Sequence, residues 1–387
     1  MDTQLKVSLI GIGNAGCQAV ELAKKEGHSV FCINSSQKDL DDKILDKTIP
    51  SFLIGNKRGA GKNRESAKQF MKVELDRLFN QTPAFMDVVE EADVVVVAAS
   101  TSGGTGSGAG PLMVNRLMTV FPNKVIIFFG ILPKYSESAQ AQFNTVECMN
   151  EVTNPRLHMV YMLSDLHAYE DLPNEEAYEK ISKYIVDCMN VIRGDTLKQT
   201  PYGMIDESDM LTILSAEGYM MINHRGNITK NELEKGTTQS LMINMLKDTP
   251  AVHQQKGKIV RNLGIILNTT DTDEDPCKSG NFSELEEFIG HPLATFTNYA
   301  VTSSQRSDIA VIMSGMNKPI DRISECTEIA KQCEALFANE DKGSVEDELN
   351  DLSVIKDSRS RISRSRILGV SSERNEKVSL NDIPDIF

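Results

Sequence analysis

The sequence predicts an α/β protein: a doubly wound parallel sheet, a long bridging helix, a smaller second α/β unit and a disordered, charged C-terminal tail. Two patterns lead there. Short apolar runs rich in β-branched residues recur with helix-length stretches between them, and such runs flanked by helices are strands buried on both faces of a parallel sheet. A later stretch, AYEKISKYIVDCMNVI at 177–192, instead carries apolar and aromatic residues at helical spacing, the mark of an amphipathic helix.

In chain order the strands are VSLIGI from Val7, SVFCIN from Ser29, DVVVVAAS from Asp93, KVIIFFGIL from Lys124 and HMVYMLS from His158. They define a first domain over 1–173, and the bridging helix falls within 174–200. From about Asp209 one helix-like segment, MLTILSAEGYMMIN, precedes the strand runs KIVRNLGIILNT, ATFTNYAVT and DIAVIMSGM. These form a second domain over 201–337, whose last helix ends near Phe337. Beyond it, NEDKGSVEDELND, SRSRISRSR and SLNDIPDIF combine low hydrophobicity with blocks of like charge, so 338–387 reads as a disordered tail.

A chain of 387 residues can bury two cores. No apolar run approaches the roughly 20 residues that span a bilayer, and MDTQLKVSLIGIG lacks a basic segment followed by a small-residue cleavage site. A cytoplasmic protein is expected. The seven cysteines are odd in number and show no CxxC spacing, and the six histidines form no HxxxH or HExxH pair. Neither a disulfide framework nor a protein-ligated metal site is therefore expected. A net charge of −14 disfavours general nucleic-acid binding, because a phosphate backbone would be repelled.

The first strand runs into GIGNAGCQ, where Gly11, Gly13 and Gly16 satisfy GxGxxG. Such a turn lets backbone amides meet a phosphate at a helix N-terminus. A dinucleotide fold would also need an acid at the end of the second strand to hold a ribose hydroxyl. Asn34 and Ser35 stand there instead. A second glycine loop, SGGTGSG from Ser102 to Gly108, follows the DVVVVAAST run and precedes another helical stretch. Two glycine loops at the ends of neighbouring parallel strands would converge on one polyphosphate. GAGKN at 59–63 fails the GxxxxGK[ST] template, since position 56 is Asn and Asn63 follows Lys62. It could still close over a terminal phosphate.

SGGTGSG resembles the signature of the tubulin and FtsZ superfamily, and the likeness extends through GIGNAGCQAV, INSSQKDL, RGAGKNRE, LPKYSE and MIDESDMLTILSAEGYMMIN. It covers both the FtsZ and the TubZ branches. The resemblance implies a GTP-binding, filament-forming GTPase that uses GTP/GDP and Mg²⁺. Residue by residue, it implies phosphate contacts from Gly13, Asn14, Ala15, Gly16, Cys17 and Gln18, with Gln18 also near the base, and from Ser102, Gly103, Gly104, Thr105, Gly106 and Ser107. Asn34 belongs to the second loop. Glu137 would hold the ribose, Gly61 and Asn63 would sense the γ-phosphate, and Tyr178 would stack on the base. The base-reading Asn and acid of the family align with Ser182 and Lys183, and its arginine after the ribose acid aligns with Ala141. A lysine cannot accept the protons of guanine.

MIDESDM places Asp206 and Asp209 three residues apart at a helix start, where both carboxylates project to one side and the helix dipole favours them. They can serve as caps. In the superfamily such an acidic loop is inserted by the next subunit to position the attacking water, which implies head-to-tail self-association. Met204 stands where the family usually has Asn. The rival readings are an NAD-dependent oxidoreductase, from GxGxxG alone, and a tubulin-like binding protein that does not polymerise. The tail carries features of both possible roles. Its arginines at 359–366 suit an adaptor or nucleoprotein complex in plasmid or phage DNA segregation. Its end, LNDIPDIF with Ile383, Pro384, Ile386 and Phe387, resembles the FtsZ peptide used in cell division.

Overall fold

The computed structural model describes residues 4–201, 204–230, 232, 237–252, 259–269, 277, 280–302 and 306–343. The Arg-rich stretch and the terminal peptide lie outside the described residues.

The first strands and helices are β1 (Val7–Ile12), α1 (Gly13–Lys25), β2 (Ser29–Asn34), α2 (Gln37–Lys43), β3 (Ser51–Leu53), α3 (Arg64–Gln81), α4 (Pro83–Glu90), β4 (Val94–Ser100), α5 (Gly104–Val120), β5 (Val125–Leu132), α6 (Ala139–Val152) and β6 (Val160–Asp165). Strands β1 to β6 are all parallel, in the order β3-β2-β1-β4-β5-β6. Every residue of β1, β4 and β5 is buried. Their side chains alternate between two cores. Leu9, Val96 and Ala98 point to the layer containing α1, whereas Ile10, Val97 and Ala99 point to the layer containing α3 and α5. Strand order reverses between β1 and β4, so the crevice at their carboxyl ends is the topological switch point where ligands bind such sheets.

Helix α7 (Asn174–Arg193) follows a 3-10 turn at Leu166–Tyr169 and ends at Gly194, whose φ of 94° is left-handed. At 1.5 Å per residue it is about 30 Å long, and its buried face includes Ile181, Ile185, Met189 and Ile192. The rest comprises α8 (Glu207–Leu214), β7 (Gly218–Thr229), α9 (Thr238–Lys247), β8 (Asn262–Thr269), α10 (Ser283–Ile289), β9 (Ala294–Val301), β10 (Arg306–Met316) and α11 (Ile320–Gly343).

Strand β7 pairs with β6 at only Val160↔Gly218 and Tyr161↔Tyr219, then antiparallel with β10, so one ten-stranded mixed sheet runs through the molecule. Two expectations are corrected. MLTILSAEGYMMIN is not one helix: it breaks at Gly218, whose φ of 111° bars continuation, and its second half begins β7. The last helix passes Phe337 and runs to Gly343. All seven cysteines are free, and Cys333 alone is not fully buried. Among the described residues no helix is long and apolar enough to cross a membrane.

Candidate functional site

Both glycine loops end at the switch point. Helix α1 starts at Gly13 and α5 at Gly104, and neither N-terminus has a side-chain cap, so their first-turn amides are free to meet an anion. The loops nearly touch. A Cβ on Gly13, whose φ is +73°, would lie 3.1 Å from the amide nitrogen of Gly106. Close approach also explains Gly16, where a Cβ would sit 2.1 Å from the Ala98 carbonyl oxygen.

A cavity of about 460 Å³ opens at this point, a size suited to a small ligand. It is lined by Gly13, Asn14 and Ala15 from the first loop, and by Ser102, Gly103, Gly104, Thr105 and Gly106 from the second. Asn34, Gly61, Glu137 and Tyr178 complete the anticipated lining. Asn34 Oδ1 accepts from the amides of Ser35 (2.8 Å) and Ser36 (3.3 Å), while its Nδ2 is buried without a partner. Glu137 accepts from the Lys134 amide (3.3 Å) and the Ser102 hydroxyl (3.4 Å). Burial pushes its carboxyl above the ordinary range against the pull of these donors and of Lys62. Burial, followed by the nearby Glu137 charge, also raises the Tyr178 phenol.

Other anticipated residues lie off the lining. Cys17 is buried, its thiol near the carbonyls of Gly11 (3.4 Å) and Ile33 (3.7 Å). Gln18 keeps a buried Oε1 with no partner. Asn63 caps α3 by accepting from the Ser66 amide at 2.9 Å, and Ser107 donates back to the Gly103 carbonyl. On α7, Ser182 is buried, and Lys183 pairs outward with Asp187 at 2.8 Å. Asp206 and Asp209 form a reciprocal capping box on α8: the Asp209 amide donates to Asp206 at 2.8 Å, and the Asp206 amide donates to Asp209 at 3.3 Å.

Ser35, Ser36, Asp39, Arg58, Lys62 and Ser100 also line the cavity and were not anticipated. One signal existed. Ser36 and Asp39 frame SQKD, a cap spacing, and the Ser36 hydroxyl does accept from the Asp39 amide.

The 133–137 loop that carries Glu137 is braced from several sides. Buried Arg322 donates to Asp165 (2.6 and 3.1 Å) and to the Pro133 carbonyl (2.7 Å), and lies 4.4 Å from the Tyr135 ring centroid. The carboxylate of Glu170 accepts from the amides of Tyr135 and Ser136, each at 3.1 Å, and from His167 at 3.0 Å. Burial alone would raise the Glu170 pKa, but these donors outweigh it and hold it at about 2. A carboxylate depressed on folding stabilises the protein above its unfolded pKa, and that stability is lost as pH falls through the folded value. Glu170→Gln should therefore flatten the pH dependence of the melting temperature between about 4.5 and 2. Equal slopes in both proteins would show that Glu170 is not among the groups that set the acid limb.

Residues 6–164 match the family model for the GTPase domain of the tubulin/FtsZ family. The tubulin-like protein TubZ of Clostridium botulinum C phage is 24% identical over 299 residues, 76% of this chain and 75% of its own length. The cell division protein FtsZ of Buchnera aphidicola is 25% identical over 316 residues, 76% of each chain. The fold matches a GTPγS-form protofilament of Bacillus thuringiensis serovar israelensis TubZ with a TM-score of 0.70 at 14% identity, covering 87% of this chain and 94% of that one. With the glycine loops of both halves of the switch point inside the matched region, the chain belongs to the tubulin/FtsZ superfamily and carries its GTPase domain.

Proposed function

We propose that the chain binds GTP in the switch-point cavity and hydrolyses it at the contact between successive subunits of a head-to-tail filament. One observation carries this reading: the cavity has two uncapped helix N-termini for the phosphates, while the acidic pair Asp206 and Asp209 lies off its lining. A neighbouring subunit would have to supply that pair. Phosphoryl transfer asks little more of a protein than an in-line water and neutralised charge. The protofilament of the Bacillus TubZ neighbour supports this mode of assembly.

Among the described residues no group of three or more His, Cys, Asp or Glu could hold a metal ion. The cavity offers the Asp39 carboxylate and the hydroxyls of Ser35, Ser102 and Thr105, a donor set that fits a Mg²⁺ carried chiefly by the nucleotide. When bound, Mg²⁺ would neutralise phosphate charge.

On this reading 1–173 is the nucleotide-binding domain, 174–200 the bridging helix and 201–337 the activation domain of a cytoplasmic filament. The phage TubZ relative favours DNA segregation or positioning as its role, with the tail engaging an adaptor or nucleoprotein complex. The FtsZ relative keeps cell division as the alternative. Light scattering and phosphate release, both measured against protein concentration with GTP and Mg²⁺, test the biochemistry. Both should rise steeply above a shared threshold concentration. Phosphate release strictly proportional to protein, without scattering, would mean that the site is complete in one subunit.

A further inference from the structure

We propose that Arg58 reads the terminal phosphate and makes the cavity select triphosphate over diphosphate, with Lys62 neutralising the inner phosphates. This rests on the reading of the cavity as the GTP site.

Both residues line the cavity and are exposed to it. Among the described residues neither head group has a printed ion-pair or hydrogen-bond partner, and Asp39 at the same end pairs with neither. Neighbouring cations behave differently. Arg64 is ion-paired with Glu151 at 2.7 Å, Lys68 with the same carboxylate at 2.6 Å, and Lys24 with Asp46 at 2.9 Å. In a chain of net charge −14, two unneutralised cations in one polar cavity form a preorganised anion site.

Strand order fixes which phosphate each would meet. The lining comes from the loops after β5 (Glu137), β4 (Ser102–Gly106), β1 (Gly13), β2 (Asn34 and Ser35) and β3 (Arg58), in spatial sequence. At about 4.8 Å per strand, the Glu137 and Arg58 ends are roughly 19 Å apart. With the ribose at Glu137 and the phosphates over the two glycine loops, the last phosphate arrives beside Arg58. Arg58 is fixed there by its bridge to Ser36 and by the Gly59 amide, which donates to the Ser35 carbonyl at 2.9 Å.

From Arg58 the chain turns back over the start of α5. The side-chain amide of Asn144 donates to the carbonyls of Lys62 and Ser102, both at 3.0 Å, latching this loop to the glycine loop. Lys62 is thereby carried inward, to where its charge reaches Glu137. Its left-handed φ of 61° is a conformation that a non-glycine residue adopts uncommonly.

Dissociation constants for GTP and GDP should be measured by titration calorimetry on the full chain and on Arg58→Ala, Arg58→Lys and Lys62→Ala. Arg58→Ala should lose roughly 10- to 100-fold in GTP affinity, the scale of one charge-assisted hydrogen bond, with GDP affinity held within about twofold on the same reasoning. Arg58→Lys should recover part of the loss, and Lys62→Ala should weaken GTP and GDP together. A wild-type GTP/GDP ratio preserved in Arg58→Ala, or a wild-type chain that binds both equally, overturns the inference while leaving the cavity as the GTP site. A wild-type chain that binds neither overturns both.

Discussion

Gly104→Val is expected to lower GTP affinity by roughly 100-fold or more while leaving a folded protein. A Cβ at Gly104 would lie 3.0 Å from the Asn63 nitrogen, 3.0 Å from the Lys62 carbonyl carbon and 3.1 Å from Ala60 Cβ. Two of the three are backbone-bound positions that no rotamer change can relieve. The 60–63 loop must therefore withdraw from the start of α5, and the Asn144 latch between Lys62 and Ser102 goes with it. Hydrogen bonds to charged groups contribute about 1.5–3 kcal/mol each, so losing two phosphate contacts suffices for the stated effect. Overpacking of this kind costs about 1–3 kcal/mol of stability, which a cooperative melt without nucleotide would register as a shift and not as loss of folding. GTP titration is the deciding measurement. A Gly104→Val protein with wild-type affinity would mean that the phosphates do not sit on the second glycine loop.

The nucleotide-binding half was legible because its strands are buried on both faces. Runs such as VVVVAAS and VIIFFGIL admit few other uses in a chain with helix-length spacers. Helix α7 was legible from periodicity alone, to within three residues at its start and one at its end. The short strand β3 was missed because three residues carry too little pattern to stand out. The boundary between α8 and β7 was missed for a different reason. TILSAEGYMMIN keeps its apolar spacing through the turn, and only a backbone angle at Gly218 separates helix from strand.

At the site, the glycine loops could be placed from sequence because glycine pattern, strand and helix coincide. Arg58 and Lys62 could not. Where their side chains point depends on left-handed angles at Lys57, Gly59, Gly61 and Lys62, and on a latch from Asn144 that is 82 residues from Lys62 along the chain. Neither cause leaves a local signature. The same holds for Arg322, whose bond to the Pro133 carbonyl joins residues 189 positions apart.

Asp206→Asn and Asp209→Asn are expected to reduce GTP turnover roughly 10²- to 10⁴-fold, the usual range for a positioned acid or base, while GTP binding and filaments persist. The reciprocal hydrogen bonds at the start of α8 supply a structural role for both carboxylates, so the substitution must separate charge from capping. Asparagine does this. It caps a helix about as well as aspartate, whereas alanine costs about 0.5–2 kcal/mol, and it removes the negative charge that would orient or polarise a water. If the pair only caps α8, the Asn variants keep both stability and turnover, and the Ala variants lose stability alone. If the pair acts on the nucleotide of the next subunit, the Asn variants melt like the wild-type chain yet accumulate long-lived filaments. Each should show binding constants for GTP equal to wild type, because neither residue lines the chain's own cavity. Wild-type phosphate release from both Asn variants, measured above the assembly threshold, would remove the acidic pair from the mechanism.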